Sequence, residues 1–184
     1  MKIEESTAME TIYSGRVWKF GDKVSTDLMV PGTKVLAKPG ITPEEAASYC
    51  MSANRPGWSE EVKPGDILVA GINFGCGSSR NGSQPLKVLG ISCVLADSIA
   101  RIHLRNAINT GLPTLVCPGI SSFVEEGEEL RVNVISGEVE NLTRGTRIQA
   151  EAWPEDSPPY QILMVGGFEN YFQTKLRESR LVKS

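Results

Sequence analysis

The sequence predicts a mixed α/β fold, and three observations carry that prediction. Residues 66–118 run through short apolar stretches and helical stretches in the order strand, loop, helix, strand, helix, strand, which favours a parallel sheet with helices packed on it. The C-terminal third shows strand-like stretches broken by Ser-Gly and Arg-Gly turns, the pattern of antiparallel strands. Hydrophobic residues make up 40% of the 184 and charged residues 22%, a balance that supports a packed core. The expected architecture is one α/β layer and one β layer in a single domain.

Each element has its own local signal. "TIYSGRVWKFG" alternates apolar and polar residues and reads as a strand. "DKVSTDLMVPG" passes through a polar turn into a second short extended run that stops at Pro31-Gly32, and residues 33–42 read as an exposed loop. "TPEEAASYCMSA" starts a helix with Thr42 as N-cap, Pro43 in the first turn and Glu45 three residues after the cap. "NRPGWSEEVKPGD" is a connector, and "ILVAG" is a short buried strand. "QPLKVLG" is a helical turn or two ending at Gly90, and "ISCVLAD" a second buried strand. "SIARIHLRNAINTG" is a helix, with Ser98 as cap, Gly111 past its end, and Ile99, Ile102, Ala107 and Ile108 near one face. "PTLVCPG" is a third strand, and "DSPPYQILMVGGFENYFQTKLRES" gives two short helices or one kinked at Gly166-Gly167.

Charge and cysteines exclude several function classes. The formal net charge is -3, with no basic footprint for nucleic acid. Arg101 and Arg105 are the nearest thing to a cationic face, and at i,i+4 on a helix such a pair is usually a solvated stripe. The acidic, polar N-terminus lacks the apolar core of a signal peptide, and no apolar run approaches the roughly 20 residues that span a bilayer, so a cytoplasmic protein is expected. The four cysteines are far apart and His103 is the one histidine, so no self-contained zinc or iron–sulfur site is expected. Cys50, Cys93 and Cys117 read as buried free thiols. Cys76 falls within a glycine-rich loop.

That loop, "AGINFGCGSSRNGSQPL" (residues 70–86), follows a strand and leads into a helix, where backbone N–H groups favour an anion. Arg80 adds a fork of donors suited to a carboxylate. Walker and dinucleotide spacings are absent, as is G-x-S-x-G, and no His or Asp lies nearby in sequence to activate a serine. The chemistry fits a small carboxylated metabolite. An ordinary Gly-Ser turn remains the alternative for the loop taken alone.

The wider context resembles a known family. "NFGCGSSR" followed by "ADSIARIHLRNAINTGLPTLVC", with upstream "FGDKVSTDLMVPGTKVLAK" and "VKPGDILVAG", is similar to the small subunit of isopropylmalate isomerase (3-isopropylmalate dehydratase), the counterpart of aconitase's swivelling domain. The resemblance covers about residues 12–175 of the 184. It implies a swivelling β/β/α domain and a hydro-lyase that dehydrates and rehydrates a hydroxy di- or tricarboxylate. It also implies a large-subunit partner that carries a [4Fe-4S] cluster, with no cofactor bound by this chain. By position, Ser78 would be the base, Ser79 and Arg80 would bind a substrate carboxylate, and the Gly77 backbone would stabilise the alkoxide. Cys76 would be a loop residue, His103 a packed or interface histidine, and Asp27 would hold its own turn by hydrogen bonds.

Two departures stand out. The family continues S-S-R-E-H-A, whereas Asn81 and Gly82 follow Arg80 here, so side chains expected to buttress the loop are missing. The family's Tyr-Leu-Arg segment is absent near residues 34–40, where Lys34 and Lys38 are the cations available to bind substrate. Isopropylmalate, another substituted malate or maleate, and a homoaconitate-type substrate all stay open. So does a non-catalytic interaction protein on the same scaffold, with a stand-alone serine hydrolase more distant.

Overall fold

Ile12–Lys19 forms β1, and both of its edges are used. One edge pairs in parallel with β2 (Ile67–Ala70), Val17 facing Ile67. The other pairs antiparallel with β5 (Glu129–Asn133), Gly15 facing Leu130. β3 (Cys93–Ala96) and β4 (Thr114–Val116) extend the parallel side, while β6 (Glu138–Asn141) and β7 (Thr146–Gln149) extend the antiparallel side. The result is one mixed sheet in the order β4-β3-β2-β1-β5-β6-β7. The two layers expected from the sequence are therefore two halves of one sheet, joined by β1. This computed structural model describes residues 10–35, 38, 40–77 and 80–181.

Helices cover the parallel half. α3 (Pro43–Ser48) starts as expected, with the Thr42 hydroxyl accepting from the Glu45 N–H at 3.2 Å. α5 (Ser83–Val88) and α6 (Arg101–Thr110) fill the two crossovers, and α8 (Pro158–Met164) and α9 (Phe168–Leu181) are separate helices broken at the Gly-Gly pair. Single helical turns escape a periodicity reading. α1 (Thr26–Met29) and α2 (Gly32–Val35) replace the expected extended run and part of the loop. α4 (Trp58–Glu61) lies inside the presumed connector and buries Trp58 completely, and α7 (Ile120–Phe123) follows β4. Among the described residues, no helix is long and apolar enough to cross a membrane.

Alternation along the strands feeds two cores. Trp18, Leu68, Ala70, Val94 and Ala96 face α1 and α3–α5 and pack with Met29, Trp58, Phe74 and Leu86. Val17, Ile67, Val69, Cys93 and Leu95 face the other way and pack with Ile120, Leu130, Val132 and Val139. Cys50, Cys93 and Cys117 are buried and unbonded, as read from the sequence. Burial pushes the thiols of Cys50 and Cys93 upward, and burial with nearby Asp97 pushes Cys117 up to about 12.

Asp66 ties the start of β2 to β1. It is 5% exposed and accepts from the Trp18 indole N–H at 2.7 Å, the Arg16 guanidinium at 2.8 Å and the Lys63 N–H at 2.9 Å. Arg16 and Arg55 also stack on the Trp18 ring, 4.3 and 4.7 Å from its centroid. Burial alone would raise the Asp66 carboxyl. The hydrogen bonds from Arg16, Lys63 and Trp18 outweigh that and hold it below its ordinary value. We expect Asp66→Ala to cost about 3 kcal/mol in chemical denaturation, because it strands a buried indole donor and a guanidinium together. The lowered carboxyl binds a proton more readily in the unfolded chain, so its contribution is full above the ordinary carboxyl pKa and is lost as pH falls through the lowered value. Asp66→Ala should flatten the acid limb of the stability–pH curve.

Candidate active-site loop

Past Ala70 the three central strands do not simply end. The chain after β1 runs beside the chain after β2: Phe20 donates to the Val69 carbonyl, Lys23 to Ile72, Gly75 to Val24 and Thr26 to Cys76, all at 2.7–2.8 Å. On the other flank, Phe74 donates to the Ser98 carbonyl and Ala100 to the Phe74 carbonyl, both at 2.9 Å. Residues 74–76 are thus a short central ribbon held between residues 24–26 and 98–100. The Asp22 carboxylate accepts from the Ile72 N–H at 2.8 Å, and the Cys76 thiol donates to the Lys23 carbonyl at 3.3 Å.

This pairing explains two corrections. Ser98 does not cap α6. It is held extended beside Phe74, its hydroxyl accepts from the Asn73 N–H at 2.8 Å, and Ala100 becomes the residue before the helix. The helix phase shifts accordingly: Ile102 points outward, 42% exposed, while His103, Ala107 and Ile108 turn inward.

Arg80 leaves the loop toward α1. Its Nη1 donates to the Asp27 carboxylate at 2.5 Å and to the Val30 carbonyl at 3.3 Å, and the guanidinium lies against Gly32. Asp27 therefore does not hold its own turn. Its carboxylate reaches across 53 positions of sequence to orient Arg80. That pairing has no local signature, which is why the sequence reading missed it. Nη1 carries both contacts, so the rest of the five-donor fork has no partner among the described residues and can meet a carboxylate.

The other expected site residues divide. Gly77 (φ +106) sits against Thr26, whose buried hydroxyl has no hydrogen-bond partner among the described residues. Ser78 and Ser79 lie outside the described residues. Lys38 pairs with Glu45 of α3, which holds the exposed amine above its ordinary value, and its contacts are not with the loop. Lys34 lies in α2, on its exposed side.

The Asn81-Gly82 departure has a structural counterpart. The Asn81 side chain donates to the Thr110 hydroxyl at 3.1 Å and accepts from the Ser83 N–H at 3.1 Å, bridging the loop to α6 and to the start of α5. So the loop is buttressed, contrary to the expectation. At Gly82 a Cβ would collide with the sulfur of Met29, itself fully buried. A bulkier residue cannot follow Asn81 while Met29 fills that space. Beside this corner, Val30, Pro43, Ala46, Asn81, Gln84 and Pro85 line a pocket of about 160 Å³.

His103 is packed, as expected. It is wholly buried, meets the Phe74 ring edge-on at 5.0 Å between centroids, and lies beneath Gly75. Gly75 has φ +75, and any Cβ there would strike the imidazole. Neither ring nitrogen has a partner among the described residues, and burial lowers the pKa from 6.5 to about 4. Among the described residues, no three His, Cys, Asp or Glu side chains converge into a metal-binding group.

Comparisons with known proteins show what the chain as a whole is similar to. Residues 40–119 match the aconitase C-terminal domain family. The isopropylmalate/citramalate isomerase small subunit of Methanocaldococcus jannaschii is 47% identical, over 94% of this chain and 100% of that one. The 2,3-dimethylmalate dehydratase small subunit of Eubacterium barkeri is 41% identical, over 85% and 94%. The crystal structure of 3-isopropylmalate dehydratase from M. jannaschii superposes with a TM-score of 0.83 at 36% identity, covering 92% of this chain and 98% of that one.

The buried imidazole sets a pH dependence of stability. Between pH 6.5 and about 4 the unfolded chain binds a proton that the native chain refuses, so native stability falls as pH drops through that window. Above pH 7 both states are neutral there and nothing is lost. The full cost is about 3 kcal/mol. His103 is the one histidine. The difference between the unfolding curves of the native protein and His103→Phe should therefore isolate it: a gap that opens below pH 6.5 is expected, and parallel curves would contradict it.

Proposed function

The chain belongs to the small-subunit family of 3-isopropylmalate dehydratases in the aconitase superfamily, and from that membership we propose that it supplies the proton-abstracting and carboxylate-binding half of a hydro-lyase site for a substituted malate. The observation that carries this reading is Arg80, mounted on a loop pinned between two neighbouring segments and oriented by Asp27 and the Val30 carbonyl. The relatives act, by their names, on isopropylmalate, citramalate and 2,3-dimethylmalate, which share a malate core and differ in alkyl substituents. The pocket of about 160 Å³ beside Asn81, walled by Val30, Pro43, Ala46 and Pro85, suits an alkyl substituent better than a further carboxylate.

In this reading the free side of the Arg80 fork takes the substrate carboxylate next to the acidic carbon, with Ser79 assisting. The Ser78 oxygen removes the proton from that carbon. Charge then grows on the carboxylate, where Arg80 already sits, so its stabilisation increases along the reaction. The backbone N–H groups around Gly77 hold the serine oxygen as an alkoxide. Lys38, paired with Glu45, would serve as a second cation only by exchanging that partner for substrate. The described residues do not fit an iron–sulfur cluster, since Cys50, Cys93 and Cys117 are buried in the two cores and no three Cys, His or acidic side chains converge among them. We therefore assign the [4Fe-4S] cluster, and the Lewis-acid role on the leaving hydroxyl, to the large subunit, and place the assembled enzyme in the cytoplasm.

The chain alone should be inactive, and a complex with its large subunit should hydrate or dehydrate at least one member of a panel of alkyl-substituted malates. In that complex, Ser78→Ala should lower kcat about 10³-fold with the fold intact, as loss of a general base does. Arg80→Lys should lower kcat/KM about 10²-fold, because an ammonium cannot reproduce the fork. Full activity of Ser78→Ala would end the base assignment. A stable complex that turns over no malate would leave the chain an interaction protein.

A further inference from the structure

We infer that the chain carries a second ligand site, between α6 and α8, for a small carboxylate with an alkyl tail. α6 has two working stripes. His103 and Ala107 press inward beneath the loop. Arg101, Leu104 and Arg105 lie on the other stripe and, with Ile108 at its inner margin, line a pocket of about 400 Å³, a volume ordinary for a small-molecule site. Across from them Trp153, Pro158, Pro159 and Ile162 close the pocket, so its wall is almost wholly apolar.

The two arginines are the anomaly. They stand one turn apart on an exposed face, like charges at a spacing that disfavours the helix, and neither has an acidic partner among the described residues. A solvated stripe would account for their exposure but not for the apolar hollow between them and α8. The Trp153 indole N–H, buried and without an acceptor among the described residues, belongs to this wall and reports on it. A pair of unpaired guanidinium forks beside an alkyl-sized hollow calls for one carboxylate head and one branched or straight alkyl tail. A polyanion does not fit, since the chain is net acidic and the pocket wall is apolar. The inference does not rest on the hydro-lyase reading.

The test uses the full chain and sodium 4-methylpentanoate, followed by the NMR signal of the Trp153 indole N–H, assigned by its disappearance in Trp153→Phe. A saturable shift of that signal is expected. Its uncharged isostere, 4-methylpentanamide, should bind at least tenfold more weakly, as should the acid to the Arg101→Gln/Arg105→Gln chain, whose changes are both on exposed side chains. Arg80→Gln should leave the titration unchanged. No saturable shift, equal binding of the amide, or loss of the shift in Arg80→Gln would overturn the proposal. So would a large subunit that covers the two arginines while the carboxylate fails to bind the free chain, since the face would then be a subunit contact.

Discussion

The site depends on one arrangement of backbone hydrogen bonds. Residues 74–76 continue the line of β2, and residues 24–26 and 98–100 continue the lines of β1 and β3 on either side, so the loop inherits the register of the sheet. A glycine-rich segment would ordinarily have many conformations to lose. Across residues 74–76, four strand-like hydrogen bonds remove them before any ligand arrives. The same pairing delivers Asp27 and the Val30 carbonyl to Arg80, because α1 begins at Thr26, whose N–H donates to the Cys76 carbonyl. Preorganisation of this kind matters most for electrostatic catalysis, where a donor fork that must first be gathered loses much of its effect.

The second consequence is a division of labour along α6. Its inward stripe supports the loop through His103 and Phe74, and its C-terminal turn receives Asn81 through Thr110. Burial lowers the imidazole pKa, no partner meets it among the described residues, and the ring packs under Gly75. A buried imidazole with no partner among the described residues is a costly way to fill space. The edge-on contact with Phe74 and the close approach of the Gly75 backbone are what the structure gains from its ring.

Most of the strands could be read from the chain because their signals are local. Short β-branched and apolar runs bounded by glycine or polar residues gave β2, β3 and β4, and the Thr42 cap with Pro43 gave α3. Single turns could not be read, since four residues carry no periodicity. Trp58, inside a Pro- and Gly-rich stretch, is fully buried for reasons that lie in Trp18 and Phe20, whose rings it meets edge-on. Ser98 misled for a physical reason: pairing with residue 74 overrode its capping preference and moved the phase of α6, turning Ile102 out and His103 in. At the loop, Arg80 could be singled out from its residue type and its setting, and carboxylate binding is the role proposed for it. Its orientation was not, because that rests on an aspartate 53 positions away.

The departure at Asn81-Gly82 is better understood as a coupled set than as a loss. Gly82 is small because Met29 occupies the space a side chain would need, and Met29 is buried because α1 is a helical turn and not the extended run the sequence suggests. Asn81 then takes over the anchoring, one end of its amide on α6 and the other on the first N–H of α5. Changing Gly82 alone would drive a side chain into the core, so the pair can revert to larger residues only if Met29 shrinks with it. Of the three positions, Asn81 lines the wall of the small pocket between α1, α3 and α5. On the proposed reading of the loop, Asn81 at this wall is the position where the scaffold can change which substituent it accepts while the Arg80–Asp27 pair stays fixed.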